Sequence, residues 1–263
     1  MFSQLLNIKT TKRKLFKRHF IRSVILEFNF ANLKKETILQ HTDSIKSKFS
    51  ELGFKRFVGM KQIEFKMTSD KDTPEQITND KETIGLLLFN DEKRMRIEIL
   101  ENKMIISIFK YLNFDDFIAK VEKMISILKE VAPKNDTLTR IALRKQNSII
   151  STETTSFEDL RFIFRKPLLS ALHEKAIPFE NFDYTKDEFR VIKSGYKCRV
   201  SSDCQRKTSN EFEINLTILV VDNVQDELCN ISKKLKAIND FNFSVFCWAT
   251  TGKFKKIMNE EIE

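Results

Sequence analysis

Glycine and proline are scarce, five and four in 263 residues. That scarcity excludes collagen-like repeats, low-complexity linkers and Gly-rich phosphate loops. No run approaches the roughly 18 uncharged apolar residues of a membrane helix. The longest candidate, 214–221, is interrupted by Asn215 and Thr217. Cysteine is limited to Cys198, Cys204, Cys229 and Cys247, without a C-x-x-C pair. No secretory signal is read, so the expectation is reduced thiols in a cytoplasmic protein rather than a disulfide framework. Only three histidines occur, and His173-Glu174 lacks the second His of a zinc-protease helix. No nucleophile elbow or kinase signature is present. Asp115-Asp116 and Glu260-Glu261 fall at a helix start and at the chain end, where capping and solvation account for them. No catalytic residue, metal site or cofactor is therefore assigned.

What is there is globular: 41 % hydrophobic and 32 % charged residues, enough chain for one large domain or two modest ones. The net charge of +9 is unevenly placed. Residues 1–22 carry Lys9, Lys12, Arg13, Lys14, Lys17, Arg18 and Arg22 with no acid, a total of +7. The rest has 39 basic and 37 acidic side chains (46 − 7 against 37), only +2. This arm is the candidate nucleic-acid-binding segment, because its cations can neutralise phosphates. A solvated tail, an organellar presequence and a membrane-surface segment are the alternatives.

Alternation of apolar and polar residues predicts strands at 23–30, around 63–67, and at 83–89, 94–100, 104–111, 138–150, 189–200 and 211–221. A helical stripe through Ile38, Ile45, Phe49 and Leu52 predicts one helix over 35–52, stopped by Gly53. A second helix is capped by Asn113 and presents Phe117, Val121, Met124 and Leu128, with Pro133 after it. A short helix is expected near 168–175, and another after Asp222 or Asn223 through Leu228, Ile231, Leu235 and Ile238. The tail 243–258 is expected to be helical and to bury Phe246, Trp248 and Phe254. Connections between the middle strands are too short for parallel crossovers.

The predicted class is α+β: antiparallel sheets covered on one face by long amphipathic helices. Two divergent βα halves, helix-grip or saddle-like, are one form it can take. The expected division is a basic arm (1–22), an N-terminal half (23–150), a short polar linker (151–156) and a C-terminal half (157–263). Arg140 and Arg144 stand four apart on one strand and so share a face, where two guanidiniums can grip an anion or pair with acids on a neighbouring strand.

Three segments carry a resemblance: RHFIRSVILEFNF at 18–30, TRIALRKQNSI at 139–149 and LKAINDFNFSVFCWATT at 235–251. Their order and spacing resemble a sporadically distributed, uncharacterised prokaryotic family of about this length, with no established activity. This chain departs from the family's pattern at Lys145, where an aromatic residue is usual. It departs again at Asn239-Asp240, where the family carries an acidic or His-bearing helix end. The scattered distribution implies an accessory gene of defence, toxin–antitoxin or immunity type. The expected function is a non-enzymatic interaction or sensor protein, with another protein as partner. Nucleic-acid binding through the arm is the alternative, and an enzyme or small-ligand binder with an unrecognised site the second.

Overall fold

A computed structural model describes residues 8, 20–61, 83–90, 92, 94–109, 111, 114–131, 137–150, 163–170, 183–193, 195–208, 211–227 and 231–258. The strands are β1 (Ile21–Phe30), β2 (Phe54–Lys61), β3 (Thr83–Asn90), β4 (Met95–Leu100), β5 (Lys103–Ile108), β6 (Thr137–Ile150), β7 (Tyr184–Lys193), β8 (Tyr196–Arg206) and β9 (Phe212–Glu227). The helices are α1 (Lys35–Gln40), α2 (Thr42–Glu51), α3 (Phe114–Val131), α4 (Ile231–Ala249) and α5 (Gly252–Ile257). All nine described strands form one sheet in the order β2-β3-β4-β5-β1-β6-β9-β8-β7. Every pairing is antiparallel. The molecule is α+β as expected, and sheet-dominated.

β1 occupies the centre because both its neighbours match its alternation. Val24, Leu26 and Phe28 are fully buried. They stand opposite Ile108, Ile106 and Met104 of β5 on one side and Lys145, Leu143 and Ile141 of β6 on the other. The same face continues through Ile218 and Val220 of β9 into Val200 and Cys198 of β8. In the other direction it runs through Ile97 and Ile99 of β4 to Leu88 and Leu86 of β3. Leu235, Ile238 and Val245 of α4 join this core, as do Val121 and Leu128 of α3. Each such side chain contributes about 1.5–3 kcal/mol when fully buried.

Several elements differ from expectation. The helix over 35–52 is two helices that meet at His41, which has φ −100 and ψ 13 and whose Nδ1 lies 2.9 Å from Thr37 O. Gly53, at φ 87, does end α2. Immediately after it comes β2, an edge strand with little burial and hence no alternation to read; the strand expected at 63–67 lies outside the described residues. The expected strand 189–200 is a hairpin, reversing between Lys193 and Tyr196, where Gly195 takes φ 83. β9 runs on to Glu227 because Val224 extends its buried face and Asn223 still pairs with Arg140, so the last long helix starts at Ile231 instead of after Asp222. The tail is the end of α4 plus the short α5, and Phe246, Trp248 and Phe254 are buried. Leu168 and Leu169 are buried in a turn, with 171–182 outside the described residues. Asn113 and the linker 151–156 are also outside them.

At Gly85 there is no room for a side chain. A Cβ there would sit 2.3 Å from the backbone oxygen of Ile99 and 2.8 Å from Leu100 Cδ2. Gly59 has only the flexible Thr83 side chain near it, at 3.4 Å. Gly85→Ala is expected to cost about 1–3 kcal/mol, the range for overpacking. Urea unfolding should therefore show a lower midpoint for Gly85→Ala and a near-unchanged one for Gly59→Ala.

Candidate functional site

The sheet's second face is built from the residues that alternate with the core. Directly paired residues on neighbouring strands point to the same side. One continuous line of pairs crosses all nine strands: Arg56, Phe89, Arg96, Ser107, Ile25, Arg144, Leu219, Arg199 and Arg190, in sheet order from β2 to β7. Five of these positions are arginine. With strands about 4.8 Å apart, eight steps give a row about 38 Å long.

The guanidiniums differ in their engagement. Arg96 Nη2 lies 2.8 Å from Glu98, and Arg190 Nε donates to Glu188 at 3.1 Å. Arg56 sits over the Phe89 ring, 5.6 Å from its centroid. Arg144 is exposed and Arg199 half-buried, and neither has an ion-pair partner among the described residues. Arg199 and Arg190 are directly opposite one another. Like charges so placed destabilise a sheet, a cost that an anion bound between them would offset.

The rows on either side are not basic in the same way. Toward one end of β1 lies an uncharged hydrogen-bonding row, Ser23, Gln146, Thr217 and Ser201, closed by Glu188 on β7. Toward the other end lie Glu98 and Glu27, with Lys197 farther along the same row on β8. Glu27 accepts a short hydrogen bond from Arg140 Nη1 and stands 3.9 Å from Lys103. The two arginines singled out in the sequence do share this face. Arg140 is taken up by Glu27, whereas Arg144 joins the row.

Of the basic arm, only Arg22 among the seven candidate cations is described; Lys9, Lys12, Arg13, Lys14, Lys17 and Arg18 lie outside the described residues. Arg22 Nη1 pairs with Glu213 at 2.7 Å. Glu213 also accepts from Ser148 Oγ at 2.7 Å and pairs with Lys207 at 2.8 Å. The arm touches the body as well: Ile8 is buried, and its carbonyl accepts from Lys193 Nζ at 2.5 Å.

Inside the core, Lys145 is buried, with its Nζ donating to Asn239 Oδ1 at 2.5 Å and lying 5.2 Å from the centroids of both Tyr111 and Phe114. The two positions at which the sequence departs from its family resemblance are thus hydrogen-bonded to each other. Burial pushes the thiols of Cys198 and Cys204 up to about 12, which keeps them protonated and poorly nucleophilic near neutrality. Among the described residues, no three His, Cys, Asp or Glu side chains gather to hold a metal ion. No described helix is long and apolar enough to cross a membrane.

Sequence reasoning missed the row because its arginines are separated by up to 143 positions (199 − 56) and fall in no motif. Only the register brings them into line.

No protein-family model and no curated protein matches the chain, in keeping with its resemblance to an uncharacterised family. Nine solved chains match. One, the Methanococcus jannaschii TBP, is 10 % identical, with a TM-score of 0.30, covering 86 % of this chain and 98 % of that one. A superposition that loose supports no argument about fold or function.

Glu213 gives a pH signature. The hydrogen bonds from Lys207 and Ser148, aided by the Lys207 and Arg22 charges, hold its carboxyl below the ordinary glutamate range against the opposing effect of burial. A lowered native pKa contributes stability that is fully present above the unfolded value and is lost as pH falls through the native one. The urea midpoint of the native chain should exceed that of Glu213→Gln at pH 7, and the gap should close on acidification below the usual glutamate range of about 4.3. A gap independent of pH would mean that the carboxylate's charge is not what stabilises the fold.

Proposed function

We propose that the chain is a non-enzymatic nucleic-acid-binding protein that holds a phosphate backbone against the second face of its sheet. The arginine row carries this reading. Polyanion binders need several cations in fixed geometry, and guanidiniums match phosphate oxygens in a fork that an ammonium does not. Within the row, Arg144 and Arg199 are the arginines least committed to the protein's own acids among the described residues, so they are the main phosphate contacts. Serine, threonine and glutamine side chains of the adjoining row suit sugar and phosphate oxygens.

A saddle-like sheet in two halves is the frame this reading needs, with the core helices α3 and α4 packed on the face opposite the row. Ser107, in the middle of the row, is itself buried among its neighbours. The basic arm then adds charge to a contact centred elsewhere. A protein partner has weaker support: among the described residues, the large exposed apolar side chains are Val58, Phe109, Ile150, Tyr184 and Ile192, scattered over β2, the end of β5, the end of β6 and both ends of β7. A role in a bacterial accessory module of defence, toxin–antitoxin or immunity type, acting in the cytoplasm, belongs to the same proposal.

The test is binding of labelled nucleic acid by fluorescence anisotropy across a salt series. Arg144→Glu with Arg199→Glu should lower affinity at least about tenfold and flatten the salt dependence, each phosphate contact being worth about 0.7–0.9 in the log–log slope. Replacing the arm's six cations between Lys9 and Arg18 by glutamine should have the smaller effect. Deleting the arm is a poorer control, because Ile8 is part of the core. Unchanged affinity in the double charge reversal would remove the sheet face from consideration.

A further inference from the structure

Resting on that reading, we infer that the ligand is a single-stranded polynucleotide lying across the strands along the arginine row, with its bases toward the Ser23–Gln146–Thr217–Ser201 side. The argument is one of rails. A duplex presents two phosphate backbones separated by a groove about 12 or 6 Å wide. A protein gripping both needs a second line of cations. Successive rows on one sheet face are two residues apart, about 6.6 Å, so a second rail would fall one or two rows from the first.

Neither direction supplies it among the described residues. On the hydrogen-bonding side, the next row is neutral from β1 to β8, ends at Glu188 on β7, and at its other end meets Arg94, which pairs with Glu92. The row beyond runs Ser148, Asn215, Asp203 and Lys186. Asp203 there accepts from Asn215 Nδ2 at 3.0 Å. On the opposite side, the first row holds Glu98 and Glu27 with a single cation, Lys197 on β8. The cations of the row beyond, Arg140 and Lys103, are turned onto Glu27, so no second line of cations forms. Carboxylates on that flank repel a second backbone. The face therefore offers one cationic rail, bordered on one side by two acids and a single lysine and on the other mainly by neutral donors and acceptors.

Single strands are held in this way, by a basic track with flat groups beside it on which bases stack. Arginine supplies both functions, since its guanidinium plane stacks on bases as well as pairing with phosphate. The half-buried Phe89, Ile25 and Leu219 between the arginines present apolar surface to the same ligand. Gln146, Thr217 and Ser201 are placed to meet base edges or sugar hydroxyls. DNA and RNA share the chemistry used here, and the experiment separates them.

The test uses the full chain and four labelled probes of about 16 nucleotides, the upper end of single-strand site sizes: oligothymidylate, oligouridylate, and DNA and RNA duplexes of mixed sequence. At least tenfold tighter binding of single strands than of duplexes is expected. Gln146→Ala with Thr217→Val should weaken single-strand binding while leaving the salt slope unchanged, since neither residue carries charge. Circular dichroism and the urea midpoint establish that this variant is folded; if it is not, Thr217→Ser replaces it, with a smaller loss expected. A preference for oligouridylate over oligothymidylate would place the 2′-hydroxyl on the Gln146 side. Duplex bound as tightly as single strand, or more tightly, overturns the inference while leaving the nucleic-acid reading intact. No binding of any probe overturns that reading itself.

Discussion

The register of β1 is the constraint on which everything else depends. It is the middle strand of nine, and it pairs over most of its length with β5 on one side and β6 on the other. In a strand of period two, a slip of one residue exchanges the faces. Here it would turn Val24, Leu26 and Phe28 out of the core and carry Ile25 and Glu27 in. The buried face and the arginine row are two consequences of the same pairing, so the core that stabilises the fold also aligns the candidate site.

That coupling explains how a chain with almost no net charge outside its first 22 residues presents a basic feature. The body's acids and bases are nearly balanced in number, but the register sorts them by position. Glu27 neutralises Arg140 and approaches Lys103, and Glu213 neutralises Arg22 and Lys207. Those pairs consume charge at the two ends of the face. Between them Arg144 and Arg199 remain, separated by the single side chain of Leu219. Arg96, Arg144 and Arg199 stand on strands held on both sides, Arg56 is stacked on Phe89, and Arg190, on the edge strand β7, pairs with Glu188.

Much of the fold was legible in the sequence, for a physical reason: strands that bury one face write alternation into their residues. β1, β3, β4, β5 and β6 are read within a few positions of their bounds, and Gly53 ends its helix because it takes a left-handed φ freely. Where burial is slight the signal fades. β2 exposes most of its residues and has no alternation, so it is silent. The β7–β8 hairpin reads as one strand because its turn is only two residues long, although the core positions change from odd (Phe189, Val191) to even (Cys198, Val200) across it. The site was legible in part: Arg140 and Arg144 were correctly placed on one face, but which of them is free depends on Glu27, 113 positions away from Arg140. The row itself is a property of pairing among nine strands, and no local pattern encodes that.

The most direct measurement is a titration of the protein, labelled at arginine side-chain nitrogens, with an oligonucleotide, following each Nε–Hε resonance by NMR. The account predicts that Arg144, Arg199 and Arg56 shift together and saturate at one concentration, while Arg140, held by Glu27, moves little. Shifts confined to Arg13 and Arg18, with the sheet arginines unmoved, would contradict it and return the contact to the N-terminal arm.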